Sequence, residues 1–194
     1  MQLKLDLFTI TIPEGATCSL QKIKEHNNIS ESEFSFSWTK ENAVRDDIFS
    51  VSWQDFVAGI LYKWDSRCLL HRDLSPHWDD VFTSMISQNS PVTCYFDGTG
   101  TNAYCWSLSE CRKLVRLKNS INDQFGNLDL QFSFGTRQFT NQHSTKVILR
   151  IDKRTVSMRQ AVMDTAAWWE NSCGMTPMPV PSAAKDPLYS FWYS

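Results

Sequence analysis

The sequence predicts an all-β chain, two packed antiparallel sheets followed by one C-terminal helix. Three observations carry that expectation. At least six segments alternate apolar and polar residues at period two, the mark of a half-buried strand. Only residues 156–172 show a convincing helical stripe. The chain also holds 8 Trp and 12 Phe against 7 Gly and 7 Pro. Such a load of large aromatics suits thick sheet packing, or carbohydrate or protein contact surfaces.

Leu3, Leu5 and Leu7 alternate with polar residues, and Phe8, Ile10 and Ile12 continue on the other phase. Residues 3–12 therefore read as one strand with a face change, as at a bulge. Residues 13–32 are polar and read as a loop or short irregular excursion. Phe34, Phe36 and Trp38 alternate cleanly, giving the next strand. Residues 48–64 fit two patterns. Trp53, Phe56, Val57, Ile60, Leu61 and Trp64 make a helical stripe with Ser52-x-x-Asp55 as a cap; the same segment is rich in β-formers and is broken by Gly59. Pro91 opens a strand through Phe96, Asp97-Gly98-Thr99-Gly100 turns it, and 103–107 return. Residues 112–121 again read either way, and pair as a hairpin with Leu128, Leu130, Phe132 and Phe134. Val147, Leu149 and Ile151 form one more strand. In the helix, Val162, Ala166 and Trp169 share a face with Met158 nearby, and Cys173-Gly174 supplies the stop. Four prolines follow, at 177, 179, 181 and 187, a linker composition that ends in the β-prone segment 188–194.

Length and composition exclude several classes. With 194 residues, 42% hydrophobic and 21% charged, the chain can bury a core. Its apolar stretches, such as 56–62, fall far short of the ~18–20 residues that span a bilayer, so no membrane role is expected. A net charge of −2 gives no reason to expect nucleic acid as a partner. The charge is uneven, however. Residues 1–110 carry 15 acidic and 8 basic side chains, and residues 111–194 carry 6 and 11. The densest basic run, Arg112 to Lys118, is too short for a polyanion site. Cysteines 18, 68, 94, 105, 111 and 173 include no Cys-x-x-Cys pair and read as reduced, mostly buried thiols. Residues 1–6 alternate and carry charge where a signal peptide would be apolar, which leans toward a cytoplasmic protein.

Motifs of chemistry are sparse. His71-Arg72-Asp73-Leu74 has the letters of a kinase catalytic loop, but Trp78 stands where Asn is required and no companion motif is present. His71, Asp73, His77, Asp79 and Asp80 offer imidazole and carboxylate without a recognised ligand spacing, so no metal and no cofactor is expected. Gly98-Thr99-Gly100 fits a phosphate nest, although glycines in a hairpin turn ordinarily serve positive φ. No nucleophile–histidine grouping is legible.

The C-terminal third carries the informative pattern. Trp168-Trp169-Glu170, Met175-Thr176-Pro177 and the run from Val180-Pro181 through Pro187-Leu188-Tyr189-Ser190-Phe191-Trp192-Tyr193-Ser194 resemble a stretch of bacterial α-galactosidases of glycoside hydrolase family 36. The upstream order is similar: a Trp-bearing strand from Trp53 to Trp64, the strand after Pro91 with Asp97 to Asn102, and Leu149-Arg150-Ile151-Asp152-Lys153-Arg154 entering the linker helix. The similarity is specific over 147–194, and departs from the family at Phe191 and Ser182, where a small hydroxyl residue and Glu are expected.

The resemblance implies an antiparallel β-supersandwich over 1–154. Residues 155–194 would then be the linker helix, the Pro-rich segment and the first strand of a catalytic (β/α)₈ barrel. It also makes 48–64 and 112–121 strands. Retaining glycosidases use two carboxylates about 5–5.5 Å apart, and in this family both are aspartates on later barrel strands. No Asp-Asp-Gly-Trp barrel motif occurs here, and Lys4-Leu5-Asp6 has only the letters of a Lys-x-Asp nucleophile motif. No catalytic residue is therefore assigned within the chain, which is expected to be inactive alone. Its role would be to support the barrel, to help wall a galactoside site, and to make homo-oligomer contacts. Trp192 is the candidate substrate contact, since barrel sites lie at strand C-terminal ends. Two other roles compete. One is a carbohydrate-binding sandwich with an aromatic platform from Trp53, Trp64 and Trp78. The other is a protein-interaction, toxin-neutralising module whose acidic first half faces a basic target.

Overall fold

The computed structural model describes residues 1–57, 59–65, 72–73, 79–82, 92–97, 99–109, 115–121, 127–139 and 142–175; for 60–65, 72–73, 79–82, 115–121 and 138 the description is of the backbone alone. The described elements are β1 (Gln2–Leu5), β2 (Phe8–Thr11), β3 (Thr17–His26), β4 (Ile29–Ser37), α1 (Lys40–Arg45), β5 (Ile48–Phe56), β6 (Ile60–Asp65), β7 (Arg72–Asp73), β8 (Asp79–Phe82), β9 (Val92–Asp97), β10 (Ala103–Leu108), β11 (Val115–Ile121), β12 (Asn127–Gly135), β13 (Ser144–Asp152) and α2 (Met158–Ser172). One sheet has the order β1-β2-β5-β12-β11-β8 and the other β3-β4-β13-β10-β9-β6-β7. They are called the first and second sheet below. Every described strand pairing is antiparallel. The expected all-β class, two packed antiparallel sheets with a C-terminal helix, is what the chain adopts.

Alternation explains the packing. Phe49, Val51 and Trp53 on β5 point inward with Leu128, Leu130, Phe132 and Phe134 on β12. They meet Phe34 and Phe36 of β4, Tyr104, Trp106 and Leu108 of β10, and Val147, Leu149 and Ile151 of β13. Edge-to-face contacts tie the layers together: Phe34 and Phe132 lie 5.8 Å apart between centroids, and Trp53 and Trp106 lie 5.2 Å apart at 89°. Each such pair adds about 0.5–1.5 kcal/mol beyond its area burial.

The ambiguous segment 48–64 divides into two strands. β5 belongs to the first sheet and β6 to the second, and Gly59 at φ +74° sits in the crossing, a conformation that costs a residue with a Cβ. Residues 115–121 form a strand paired with β12 along its whole length, as expected.

Four local expectations are corrected. Residues 3–12 form a hairpin rather than one strand, because Asp6 at φ 54° turns the chain back between β1 and β2. Residues 13–32 are largely regular, with β3 pairing along β4. β3 is an edge strand with only alternate half-buried positions near its start, so it shows little of the apolar alternation that marks a strand. Its register shifts between Lys22 and Lys24, leaving Ile23 as the extra residue of a bulge. The short helix α1 was not expected. It is held by a capping box in which Thr39 and Asn42 bond each other's backbone N–H, with Asn42 Nδ2 also donating to Glu14 O and Asp47 Oδ2. In α2 the buried face is Ala161, Thr165 and Trp168, one residue round from the expected stripe. Val92, Cys94, Ala103 and Cys105 of β9 and β10 lie beneath it, where the small Ala161 allows close approach, while Val162 and Trp169 flank the contact.

Candidate functional site

The stretch from Leu149 to Arg154 ends β13 and reaches both layers and the helix. Alternation divides its side chains. Leu149 and Ile151 enter the core, and Lys153 follows their phase toward the end of the sandwich. Its Nζ lies 2.7 Å from Asp55 Oδ1 and 2.6 Å from Oδ2, which joins the second sheet to the first. The same ammonium stands 5.8 Å from the Tyr104 ring centroid, and the Tyr104 hydroxyl accepts a bond of 3.2 Å from Trp53 Nε1. Burial, followed by the nearby Asp55 charge, pushes the Tyr104 hydroxyl well above its ordinary range.

Arg150, Asp152 and Arg154 take the other phase, toward α2. Asp152 is 1% exposed at its side chain. It accepts from Arg150 Nη2 at 3.1 Å, and from Arg154 Nε at 2.9 Å, Nη2 at 2.6 Å and backbone N at 3.2 Å. Arg154 Nη2 also donates to Asp164 Oδ2 of α2 at 2.6 Å. That bond, against the opposing effect of burial, holds the Asp164 carboxyl below its usual range. Arg150 is 5% exposed at its side chain, and its Nε and Nη1 have no hydrogen-bond partner among the described residues. The result is a charge hub that latches α2 to the sheet. Its carboxylate oxygens are engaged by the two guanidinium groups, the Arg154 backbone N–H and the Gln160 amide, so it holds structure rather than presenting a base or nucleophile.

A second feature is the outer face of the first sheet. A groove of about 560 Å³ is lined by Lys4, Thr9, Ser52, Gln54, Asp129 and Gln131 among others, and a neighbouring groove of about 480 Å³ brings in Phe56 and Asn127. Gln54 Nε2 donates to Asp129 Oδ1 at 2.8 Å, and Phe56 is 55% exposed. Amides, a carboxylate and one bare ring on a flat face are groups that meet sugar hydroxyls and the apolar face of a sugar ring.

The residues singled out from sequence have varied positions. Trp192 lies outside the described residues, as do His71, His77, Trp78 and Gly98. Asp73 lies on β7 at the edge of the second sheet, and Asp79 and Asp80 lie on β8 at the edge of the first. No group of three or more potential metal ligands occurs among the described residues. Trp53 is 3% exposed and belongs to the core, which removes it from an aromatic platform: the alternation of Phe49, Val51 and Trp53 turns it inward. The backbone of Trp64 lies on β6. Asp6 is paired with Lys22 at 3.0 Å on the surface. The turn after β9 serves its own carboxylate. Asp97 accepts from Thr99 Oγ1, Thr101 N, Asn102 N and Asn102 Nδ2, and Gly100 N, one of the donors of the supposed phosphate nest, donates to Asp97 O at 3.1 Å. Burial pushes the Asp97 carboxyl up, but these bonds outweigh it and hold the group below its ordinary range.

No helix among the described residues is long and apolar enough to cross a membrane. No family model matches the chain, and no curated protein matches it. Among solved structures it is similar to the Slr1438 protein from Synechocystis sp. PCC 6803, with 13% identity, 76% of this chain covered and a TM-score of 0.42. The match covers 55% of that protein, so the chain spans about half its length.

Proposed function

We propose that this chain is the non-catalytic N-terminal sandwich of an α-galactosidase-like glycoside hydrolase. It supports a (β/α)₈ barrel that carries the two catalytic carboxylates, and the barrel takes the galactoside substrate. The observation that carries the reading is the hub at 150–154. The stretch that resembles the family's entry into its linker helix is, in this fold, a charged joint between sandwich and helix. A joint latched by Arg154 and Asp164 would hold a following domain at a fixed attitude to the sheets. Residues 155–194 then act as linker and first barrel strand, Trp192 lies near the sugar, and copies of the sandwich contribute to oligomer contacts.

The test uses the purified 194-residue chain with p-nitrophenyl α-galactoside, together with the coding sequence beyond Ser194. No turnover by the chain, and a downstream barrel bearing an aspartate pair, support the reading. Turnover that disappears when one of the chain's own carboxylates is substituted overturns it, as does a stop codon directly after Ser194. The outer face of the first sheet favours a second reading, a stand-alone carbohydrate-binding sandwich. Calorimetric titration with galacto-oligosaccharides separates the two: heat of binding lost in Gln54→Ala and Phe56→Ala supports the second.

A further inference from the structure

We infer that Cys94 and Cys105 are a modification site: a dithiol that closes to a cross-strand disulfide when a small-molecule disulfide oxidant reaches it, with α2 as the gate. The two residues stand directly opposite each other in the register of β9 and β10. Opposed residues in an antiparallel pair alternate between hydrogen-bonded and non-hydrogen-bonded positions, and the latter bring Cα atoms to about 4.5 Å with side chains closest. Asp97 N donates to Asn102 O at 3.2 Å, which makes that pair a bonded one. Counting in steps of two, Tyr95/Tyr104 is bonded and Cys94/Cys105 falls on the close, non-bonded position. A spacing of ~4.5 Å lies just inside the ~4.4–6.8 Å window for a disulfide.

Both sulfurs lie on the face of the second sheet beneath α2. Cys94 and Cys105 are 0% and 1% exposed, and both are free thiols. Ala161 packs on them, and Thr165 Oγ1 stands 3.8 Å from Cys105 Sγ. The adjacent Cys105 thiol, then burial, then the charge of Asp152 on β13 raise the Cys94 thiol well above its ordinary range. The pair is therefore slow to react while the helix is seated. Access requires α2 to lift, and the hub at Arg154 and Asp164 holds it down.

The exchange balances with a glutathione-type disulfide. A thiolate from one cysteine attacks the oxidant's S–S bond, forms a mixed disulfide and releases one thiol. The second cysteine's thiolate attacks the protein sulfur of that mixed disulfide, forms the Cys94–Cys105 bond and releases the second thiol. Two electrons pass to the oxidant, and the two cysteine protons end on the two released thiols. The close position sits at the short end of the disulfide range, and strained disulfides are the readily reduced ones. The link should therefore reopen with reduced thiol and behave as a reversible lock on β9 and β10.

The folded protein is incubated with oxidised glutathione, blocked with N-ethylmaleimide and digested with chymotrypsin, which cleaves between the two cysteines. The expected product is a linked pair of peptides containing Cys94 and Cys105, lost in Cys94→Ala and Cys105→Ala and reversed by reduced glutathione. Asp164→Asn, which loosens the helix without touching the thiols, should speed closure roughly two- to fivefold. Two results overturn the inference. One is a protein, folded by circular dichroism, that keeps both thiols under conditions that modify Cys18. The other is a closure rate unchanged in Asp164→Asn, which removes the gate.

Discussion

Asp152→Asn should be among the most damaging conservative changes in this chain. The carboxylate is buried and receives four donor contacts between 2.6 and 3.2 Å from Arg150 and Arg154. Asparagine keeps the shape, but replaces one acceptor oxygen with an amide donor that faces guanidinium donors. Arg154 retains Asp164. Arg150 is left buried with no anionic partner among the described residues, and two of its nitrogens already lack acceptors. Removing one member of a buried ion pair costs about 3–5 kcal/mol, against the ~5–15 kcal/mol that holds a typical domain together. Asp164 is 32% exposed at its side chain, so Asp164→Asn should cost no more than about 1 kcal/mol. Arg150→Met should fall below Asp152→Asn, because it removes the under-satisfied charge and leaves Asp152 paired with Arg154. Urea unfolding at neutral pH, followed by tryptophan fluorescence, reads the three midpoints at a common slope. An Asp152→Asn variant within about 1 kcal/mol of the parent, or an Arg150→Met variant costlier than it, would refute the reasoning.

Two further outcomes are expected. Asp97 and Asp164 both have folded pKa values held below the ordinary carboxylate value, so they stabilise the fold fully above about pH 4 and lose that contribution as pH falls through the lowered values. Urea midpoints measured down to about pH 2.5 should decline less steeply in Asp97→Asn, and a parallel decline would contradict the turn assignment. Thr39→Ala removes half of the capping box on α1 and should cost about 1 kcal/mol, readable as a midpoint shift in the same titration. No shift would mean that Asn42 alone secures the helix.

Legibility in the sequence followed burial on one face. β12 and β13 were readable because a dry layer on one side forces alternation, as at Leu128, Leu130 and Phe132, or Val147, Leu149 and Ile151. β3 was not, since an edge strand exposed along most of its length needs no apolar phase, and Gln21 to Glu25 looks the same in a loop. α1 escaped because six residues hold less than two turns of periodicity, and its signal is the local bonding of Thr39 and Asn42. The hub was visible as letters, but Arg150, Asp152 and Arg154 at period two look like a solvated strand face. What buries them is a helix that follows in sequence, and Asp164 became meaningful only once α2 was seen to return over β9 and β10. Trp53 suits an aromatic platform by residue type alone, whereas the phase of its own strand turns it inward.

The bulge at Ile23 bears on which chains can pair with this edge of the sheet. Among the described residues β3 offers ten residues of open edge, the longest strand and the outermost of its sheet. An unbroken edge of that length is a template on which another chain can crystallise strand by strand. The extra residue interrupts the ladder midway, and Lys22 and Lys24 flank the break with charges. Trimming Ile23 away would lose one 47%-exposed side chain and make the edge flush. A small gain in regularity for one molecule would then be paid in the solubility of the population.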